Sequence, residues 1–358
     1  MGAGIAQVAL EADWSVRLHD ALPGAGERGR AQIADGLRRR ASKQEPDQPR
    51  SARWVDEHLA RLAVVSEVAA AVIDVDLVIE AIVEDMEAKR ALFAALEARA
   101  AHATILATNT SALSVTAIAE AARTHPGRVL GLHFFNPAPL LRLVEVVAGV
   151  RTDPSVLARA TSIVTAWGKT PVRSADSPGF IVNRVNRPFT IEALRMVDGG
   201  EARVGEIDAA MRADGFPMGP FELMDLVGLD VNLAAATGVW EGLGRPERLR
   251  PSPIQAWLVD HRRLGRKAGV GFYRYDAGPD PVPDPLPLDL APRVHDRRAI
   301  APADIVWRIR SAIGAEAVRA RDSGVASAAD IDTALWLGAA HPEGPFAWLK
   351  RHDPTIGT

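Results

Sequence analysis

The sequence predicts an α/β protein with a doubly wound, mostly parallel, Rossmann-like sheet, followed by an all-α region that is partly duplicated. Through the first 150 residues, short apolar runs alternate with helical stretches, which is the pattern of parallel strands joined by crossover helices. From Asp176 onward, strand-like runs disappear and helical periodicity dominates. Helical motifs near residue 181 return near residue 305, which indicates an internal repeat.

The predicted strands are short apolar runs that end in polar residues. They cover residues 15–20, 75–80, 103–107, 129–133 and 143–147. Parallel strands of a doubly wound sheet end at a common edge, and α/β proteins bind their ligands there. The polar residues at these strand ends are therefore candidates for a functional site.

The N-terminal segment Gly2-Ala3-Gly4-Ile5-Ala6-Gln7 predicts the first crossover helix of such a fold. It begins where the last glycine of a G-x-G-x-x-G phosphate-binding loop would stand. We therefore expect a nucleotide-binding domain that lacks its first strand and the first two glycines of the loop. Because loss of a central strand exposes the hydrogen-bonding groups of both neighbours, a misplaced start codon or a fragment is favoured over a tolerated truncation.

The sequence as a whole predicts four segments. They are the nucleotide-binding domain at 1–175, a helical domain at 176–277, a proline-rich linker at 278–300 and a second, partial helical domain at 301–358. The repeat is an ordered series of matches at an offset of 124 to 125 residues. Ile181-Val182-Asn183-Arg184 returns as Ile305-Val306-Trp307-Arg308, Ile207-Asp208 as Ile331-Asp332, and Gly219-Pro220-Phe221 as Gly344-Pro345-Phe346.

Composition excludes several classes of function. The net charge of -3, with cationic residues scattered along the chain, gives no electrostatic basis for binding nucleic acid. The absence of cysteine excludes disulfides, thiolate metal sites and cysteine nucleophiles, and we expect no metal. No apolar stretch reaches the eighteen or so residues of a membrane span, so we expect no membrane association and a cytoplasmic protein.

His133 and Glu145 are the strongest candidates for chemistry. Glu145 lies inside an apolar predicted strand, where a carboxylate needs a hydrogen-bonded partner. His133 ends the preceding strand, and a carboxylate on one imidazole nitrogen leaves the other nitrogen to take a proton. These two residues alone also fit a structural histidine in the core and a glutamate at a sheet edge that faces water.

Two further polar segments flank this pair. Thr108-Asn109-Thr110-Ser111 follows one predicted strand, and Asp176-Ser177-Pro178-Gly179-Phe180 opens the helical region. Each of these segments, taken alone, is also typical of a helix cap or a turn.

Together, these motifs resemble the L-3-hydroxyacyl-CoA dehydrogenase family. The motifs, in the family's order, are NTS, HFFNP followed by LVEVV, DSPGFIVNR, PMGPFELMD and GRKAGVGFYRY. The resemblance covers nearly the whole chain, and HFFNP with LVEVV is its most specific part. The duplicated helical domain is similar to bacterial members that act on 3-hydroxybutyryl-CoA or 3-hydroxyadipyl-CoA.

The resemblance implies NAD-dependent oxidation of a (3S)-3-hydroxyacyl-CoA to the 3-oxoacyl-CoA, in fatty acid metabolism. His133 is then the general base that removes the 3-hydroxyl proton, and Glu145 stabilises the imidazolium. Ser111 and Asn183 are implied to hydrogen-bond the substrate.

The resemblance also implies contacts with NAD and with the CoA portion of the substrate. The implied cofactor contacts are Gly2, Asp20, Glu84, Lys89, Ser111, Asn136 and Lys267, and the implied CoA contacts are Lys43 and Ser111. Asp20 closes the second strand of the fold, where a carboxylate accepts the ribose hydroxyls and disfavours a 2′-phosphate, so NAD is favoured over NADP. The chain departs from the family at Gly36, where a hydroxyl residue usually contacts CoA.

The repeat suggests a structural role for the second helical copy, because its equivalent of Asn183 is Trp307. The family commonly dimerises through this domain, so we expect either a homodimer or a second copy that replaces the partner. Two other functions stay open: a catalytically silent homologue or fragment with poor NAD binding, and a dehydrogenase for a free hydroxy acid.

Overall fold

The computed structural model describes residues 1–42, 52–275, 281–286 and 300–352. The chain divides into two compact units, Met1–Asp176 (the N-terminal unit) and Ser177–Thr358 (the C-terminal unit). Lys43 lies outside the described residues.

The N-terminal unit alternates helices and strands. Its helices are α1 (Gly2–Glu11), α2 (Ala25–Ser42), α3 (Ala52–Leu59), α4 (Val68–Ala71), α5 (Met86–Glu97), α6 (Val115–Ala119) and α7 (Pro154–Ala166). Its strands are β1 (Val16–His19), β2 (Leu62–Val65), β3 (Leu77–Glu80), β4 (Ile105–Thr108), β5 (Val129–Phe134), β6 (Leu143–Ala148) and β7 (Thr170–Ala175). A short 3₁₀ turn, Pro126–Arg128, precedes β5.

The strands form two sheets. β1 and β2 pair in parallel, and a second sheet has the order β3-β4-β5-β6-β7, parallel except between β5 and β6. The predicted Rossmann-like, mostly parallel fold is therefore confirmed; of the five predicted strands, β3, β4, β5 and β6 lie in the larger sheet and β1 lies in the smaller one. β2 and β7 were not predicted, because β2 is only four residues long and β7 mixes Pro171, Arg173 and Ser174 into its sequence.

Helix α1 packs against both sheets. Its buried Ile5 and Val8 share one apolar cluster with Val16 of β1 and Ile79 of β3. β1 and β3 are not paired with each other, so α1 is the element that joins the two sheets in this cluster.

The departure at Gly36 has a packing reason. A Cβ atom at this position of α2 would lie only 2.0 Å from Oε1 of Gln7 in α1, so a larger residue here would require the side chain of Gln7 to move. Gln7 is itself held by a hydrogen bond from its Nε2 to Glu11 Oε1 (2.8 Å).

The described residues of the C-terminal unit are helical apart from one small hairpin and the connecting segments. Its helices are α8 (Val182–Val185), α9 (Arg187–Asp198), α10 (Val204–Ala213), α11 (Pro220–Val227), α12 (Leu229–Gly242), α13 (Pro253–Asp260), α14 (Pro302–Asp322), α15 (Ala328–Gly338) and α16 (Pro345–His352). Two 3₁₀ turns are Glu247–Leu249 and Arg266–Ala268, and the hairpin consists of β8 (Tyr273–Arg274) and β9 (Val282–Pro283). β9 falls within the predicted linker, where Asp284 also forms an ion pair with Arg263.

The repeat is visible in the helices. α14 corresponds to residues 178–198, α15 to α10 and α16 to α11, at offsets of 124 to 125 residues. We call residues 178–227 the first copy and residues 302–352 the second copy. Both copies start their last helix in the same way, because Asp208 accepts from the amides of Phe221 and Glu222 and Asp332 accepts from those of Phe346 and Ala347.

The two copies exchange equivalent ion pairs. Arg184 Nε donates to Glu316 Oε1 over 2.9 Å, and Arg308 Nε donates to Glu192 Oε2 over 3.0 Å. Arg308 is the repeat equivalent of Arg184, and Glu316 is the equivalent of Glu192. Reciprocal contacts of this kind are those of a two-fold axis, so the copies pack like the two halves of a symmetric dimer.

A second set of equivalent positions also makes reciprocal contacts between the two copies. His341 Nε2 donates to Asn186 Oδ1 over 2.8 Å, while the Arg310 guanidinium lies 5.2 Å from the ring of Phe216. Arg310 is equivalent to Asn186, and His341 to Phe216. Burial lowers the pKa of His341 to about 3, and the nearby Arg310 acts in the same direction, so this imidazole is neutral.

In the described part of the chain, no single helix has the length and apolar character to cross a membrane. Only the bent pair of α11 and α12, which turns through 104°, passes that test of length and composition.

Candidate active site

His133 and Glu145 lie directly opposite each other on the antiparallel strands β5 and β6. His133 Nδ1 and Glu145 Oε2 are 2.6 Å apart, and the glutamate is fully buried. An ionised carboxylate can only accept, so Nδ1 carries the shared proton. Because residues opposite each other in a ladder point to the same face, the register alone brings the two groups together.

The loop between β5 and β6, residues 135–142, is held by a half-buried lysine. Lys169 Nζ donates to the carbonyl oxygens of Ala138 (2.6 Å) and Leu141 (2.9 Å). Burial lowers the pKa of Lys169 to about 8. Asn136 lies in this loop with its side chain exposed, next to a cis peptide bond to Pro137. Sequence reasoning did not select Lys169.

Ser111 belongs to a loop that is organised by Glu84. Glu84 Oε1 accepts from Thr110 Oγ1 (2.5 Å) and from the amides of Ser111 (2.8 Å) and Ala112 (3.1 Å). Burial alone would raise the pKa of Glu84, but these hydrogen bonds and the charge of Lys89 outweigh it and lower the pKa below its usual value. Glu84 therefore positions the backbone on which exposed Ser111 is presented.

Beneath this loop lies a buried ion pair. Lys89 Nζ is 2.7 Å from Glu80 Oε1 and 3.3 Å from Glu84 Oε2, and the lysine side chain is 1% exposed. Thr108 Oγ1 donates to the other oxygen of Glu80 over 2.7 Å. In this structure Lys89 is thus part of the support under the Ser111 loop. Glu80 and Thr108 were missed, although a glutamate that closes an apolar strand was itself a signal.

The two neighbouring polar segments are anchored by side-chain hydrogen bonds, one to the strand of His133 and one to helix α6. Asn109 Oδ1 accepts from the amide of Phe134, the residue after His133, over 2.8 Å. Asp176 accepts from Ser114 Oγ and from the amides of Val115 and Thr116, and so caps α6. The predicted site residues Glu84, Lys89, Ser111, His133 and Glu145 are thus joined to the carboxyl ends of β3, β4 and β5 or to the facing strand β6.

Two predicted site residues lie in the C-terminal unit. Asn183 is half-buried in α8, and its backbone carbonyl accepts from Arg187 Nε. Lys267 Nζ lies 2.6 and 2.7 Å from the two carboxylate oxygens of Asp230. The hydrogen bond from Lys267 lowers the pKa of Asp230.

Comparison with known proteins adds a second line of evidence. Residues 1–177 match the domain described as 3-hydroxyacyl-CoA dehydrogenase, NAD binding domain, and residues 179–275 and 305–357 match the C-terminal domain of the same family. The chain belongs to the 3-hydroxyacyl-CoA dehydrogenase family.

Individual relatives support this assignment. The 3-hydroxyadipyl-CoA dehydrogenase of Escherichia coli is 37% identical, over 97% of this chain and 88% of the relative. The mitochondrial hydroxyacyl-coenzyme A dehydrogenase of Rattus norvegicus is 42% identical, over 77% of this chain and 88% of the relative. The crystal structure of 3-hydroxybutyryl-CoA dehydrogenase from Escherichia coli superposes with a TM-score of 0.87 and 34% identity, covering 99% of this chain and 90% of that chain.

Membership of this 3-hydroxyacyl-CoA dehydrogenase family confirms the predicted class of the protein. It is an NAD-dependent oxidoreductase of that family, and the alternative of a silent homologue is not favoured. The C-terminal match extends into the second copy, in agreement with the repeat.

The described residues fit NAD. Asp20 follows β1 and is exposed, with Oδ1 accepting only a local hydrogen bond from the amide of Leu22 (2.9 Å), so the carboxylate is placed to accept ribose hydroxyls. Helix α1 has no acidic residue in its first turn, which suits a nearby phosphate. At its start, a Cβ on Gly2 would meet Ala81 only at an ordinary 3.8 Å, so Gly2 is not forced by packing there.

Proposed function

We propose that the chain oxidises the 3-hydroxyl of a (3S)-3-hydroxyacyl-CoA, with His133 as the general base. The observation that carries the proposal is the 2.6 Å contact between His133 Nδ1 and the fully buried Glu145. Nε2 takes the hydroxyl proton as the C3–H bond breaks, and the bound NAD supplies the hydride acceptor. Glu145 holds the ring in one tautomer and stabilises the imidazolium that forms.

Ser111 and Asn183 position the substrate in this proposal. Ser111 stands on the loop that Glu84 fixes, and Asn183 contributes its side-chain amide from α8. Gly2, Asp20 and Asn136 contact the cofactor, and Lys267 contributes a positive charge near it. Glu84 and Lys89 hold the Ser111 loop in position from below.

The test is NADH oxidation with acetoacetyl-CoA, the reverse of the proposed reaction. We expect the parent chain to be active and His133→Ala to lose about 10²- to 10⁴-fold in kcat, the usual contribution of a general base. His102→Ala, an exposed histidine of the same unit, is the matched control and should retain the parent rate. Equal rates for parent and His133→Ala would remove this histidine from the mechanism.

For the substrate, we propose a short or medium acyl chain, supported by two relatives named for 3-hydroxyadipyl-CoA and 3-hydroxybutyryl-CoA. Comparison of kcat/KM across a series of 3-hydroxyacyl-CoA thioesters with C4 to C16 chains tests this, and a maximum at C12 or longer would contradict it. CoA contact by Lys43, a cytoplasmic location and a role in fatty acid metabolism stay predictions.

We further propose that the second copy takes the place of a dimer partner. The support is the reciprocal pairing of Arg184 with Glu316 and of Arg308 with Glu192. Sedimentation analysis of the full chain is then expected to give a monomer, and a chain ending at residue 286 is expected to dimerise or to lose stability. A full chain that dimerises through α8 and α9 would contradict the proposal.

A further inference from the structure

The loop between β5 and β6, residues 135–142, rests on the first turn of α1. A Cβ added to Gly4 would lie 3.3 Å from Pro139 Cδ and 3.5 Å from Ala138 Cβ, so the loop and the helix are in close contact. Ala138 is 2% exposed and belongs to the apolar cluster that α1 shares with β5. The loop also starts directly after β5, the strand that carries His133. It therefore connects this histidine with the start of α1.

The start of α1 is the place where we expect the pyrophosphate of NAD. In a Rossmann-like domain, the phosphates lie at the N-terminus of the first crossover helix, where free N–H groups and the helix dipole favour a negative charge. Helix α1 has no acidic residue in its first turn to oppose this. A loop that touches this turn and continues from the strand of His133 sets the position of the cofactor relative to the base.

The backbone of Lys169 is fixed on both sides. In the turn that follows α7, Gly168 has a φ of 70°, and the amide of Lys169 donates to the carbonyl oxygen of Val164 over 3.2 Å. On the other side, the amide of Thr170 donates over 2.8 Å to the carbonyl oxygen of Arg142, the last residue of the loop. The side chain of Lys169 therefore projects from a defined turn.

The ammonium group of Lys169 binds two carbonyl groups of the loop. Nζ donates to Ala138 over 2.6 Å and to Leu141 over 2.9 Å. A hydrogen bond from a charged donor is about twice as strong as one from a neutral donor. The protonated lysine therefore holds the loop more firmly than the neutral amine would.

We propose that Lys169 is a positioning residue for the cofactor, because its ammonium group holds loop 135–142 against the first turn of α1. Asn136, which the proposed function places in contact with NAD, stands on this loop, and to that extent the inference rests on the proposed function. His133 and Glu145 are aligned by the strand ladder instead. Loss of the Lys169 contacts therefore weakens cofactor binding and leaves proton transfer in place.

The same contacts make cofactor binding depend on pH. The charged groups that act on Lys169 come from α1, α2 and the loop: Glu11 favours the ammonium form, whereas Arg40 and Arg142 disfavour it. Burial is the largest influence, and it lowers the pKa of Lys169 to about 8. We therefore expect the Kd for NADH to rise as the pH increases through about 8.

The test is a fluorescence titration of the full chain with NADH, which gives the Kd without turnover. In Lys169→Met, which keeps a long side chain but has no donor, we expect the Kd at neutral pH to rise about five- to twentyfold. Lys169→Arg keeps the charge and the donors, and it should stay within about threefold of the parent. Arg173→Met is the matched control, because it removes an exposed cation from the adjoining strand β7, and it should bind NADH like the parent.

Further measurements separate a positioning role from a purely structural one. Over a pH series, the Kd of the parent should rise above about pH 8, whereas the Kd of Lys169→Arg should stay constant. Hydrogen exchange at the loop amides should be faster in Lys169→Met than in the parent. The kcat for acetoacetyl-CoA at saturating NADH should change by less than about twofold.

Two results would overturn the proposal. The first is a parent-like Kd in folded Lys169→Met. The second is an alkaline rise in Kd that is the same in the parent and in Lys169→Arg, because another group would then titrate. The second comparison does not require Lys169→Met to fold. A parent that binds NADH with the expected dependence on Lys169 but does not reduce acetoacetyl-CoA would support this proposal and contradict the proposed function.

Discussion

Two of the buried glutamates among the described residues, Glu145 in the N-terminal unit and Glu316 in the C-terminal unit, have different kinds of partner. Glu145 in the N-terminal unit is hydrogen-bonded to His133, whereas Glu316 in the C-terminal unit binds Arg184 and Arg248 at 2.9 and 2.7 Å. Both carboxylates satisfy the requirement that a buried charge be paired. The partner residue decides whether the pair can transfer a proton.

An arginine does not exchange its proton at ordinary pH, so the arginines paired with Glu316 offer it no proton to transfer and serve to hold the structure together. A histidine gains and loses its proton near neutral pH. The pair of Glu145 and His133 can therefore carry a proton through a reaction. In the proposed mechanism, the buried Glu145 supports chemistry, whereas the buried Glu316 supports the structure.

The largest expected difference between the two glutamates is in kcat, when each is replaced by glutamine. In Glu145→Gln, the amide can donate to Nδ1 and so favours the wrong tautomer of His133, and we expect kcat to fall about 10³- to 10⁴-fold. Steady-state kinetics of acetoacetyl-CoA reduction measures the fall. Circular dichroism and the Tm show whether the variant is folded, and a folded variant with parent kcat would break the comparison.

Glu316→Gln is the matched change in the other unit. It leaves the buried guanidinium of Arg184 without its charged partner, and breaking a buried pair in this way typically costs about 3–5 kcal/mol of stability. Urea unfolding measures the loss, while kcat per folded molecule should stay near that of the parent. Glu192→Gln, its repeat equivalent, is less buried and should cost less. A large fall in kcat with little loss of stability would contradict the structural role.

A third prediction uses the two capping aspartates. Burial raises the pKa of Asp208 to about 7, against the effect of its hydrogen bonds, so the folded state holds a proton that the unfolded state releases near pH 4. The folded state then binds more protons in that window, and stability should fall as the pH rises from about 4 to 7. Asp208→Asn should flatten this slope.

The control for this pH dependence is Asp332→Asn in the second copy. Burial also raises the pKa of Asp332, but this carboxylate is less enclosed, so its variant should change the slope less. Unfolding free energies measured at several pH values separate the two. An identical slope in the parent and in Asp208→Asn would show that Asp208 does not titrate in this range.

The smallest predicted effect is on substrate binding through Glu84. Glu84→Gln weakens the hydrogen bonds to the amides of Ser111 and Ala112, and we expect KM for acetoacetyl-CoA to rise about three- to tenfold with a smaller change in kcat. Glu87→Gln, on α5 nearby in the sequence, is the control. A change in kcat with KM constant would place Glu84 in the chemical step instead.

Much of the N-terminal unit could be predicted because its strands are apolar runs. Glu145 stood out as a charge in such a run, and the same reasoning would have found Glu80 at the end of β3. The strand β7 could not be predicted in this way, because Pro171 and Arg173 interrupt its apolar pattern.

Other features depend on contacts between distant segments. The lysine that holds loop 135–142 is 31 and 28 residues away in sequence from the two carbonyl groups that it binds. The burial of Lys89 beneath the Ser111 loop is of the same kind, because an isolated lysine usually predicts an exposed helix position. The repeat revealed two copies, but not the reciprocal contacts between them.

The cross-strand pairing of His133 and Glu145 also has an evolutionary consequence. The two groups meet through the backbone ladder of β5 and β6, so their alignment does not depend on the residues at the tip of the hairpin. The exposed position Leu140 of that tip can therefore change without altering the distance between His133 and Glu145. Under the proposed mechanism, selection can vary this part of the surface while the protein keeps the same pairing of His133 with Glu145.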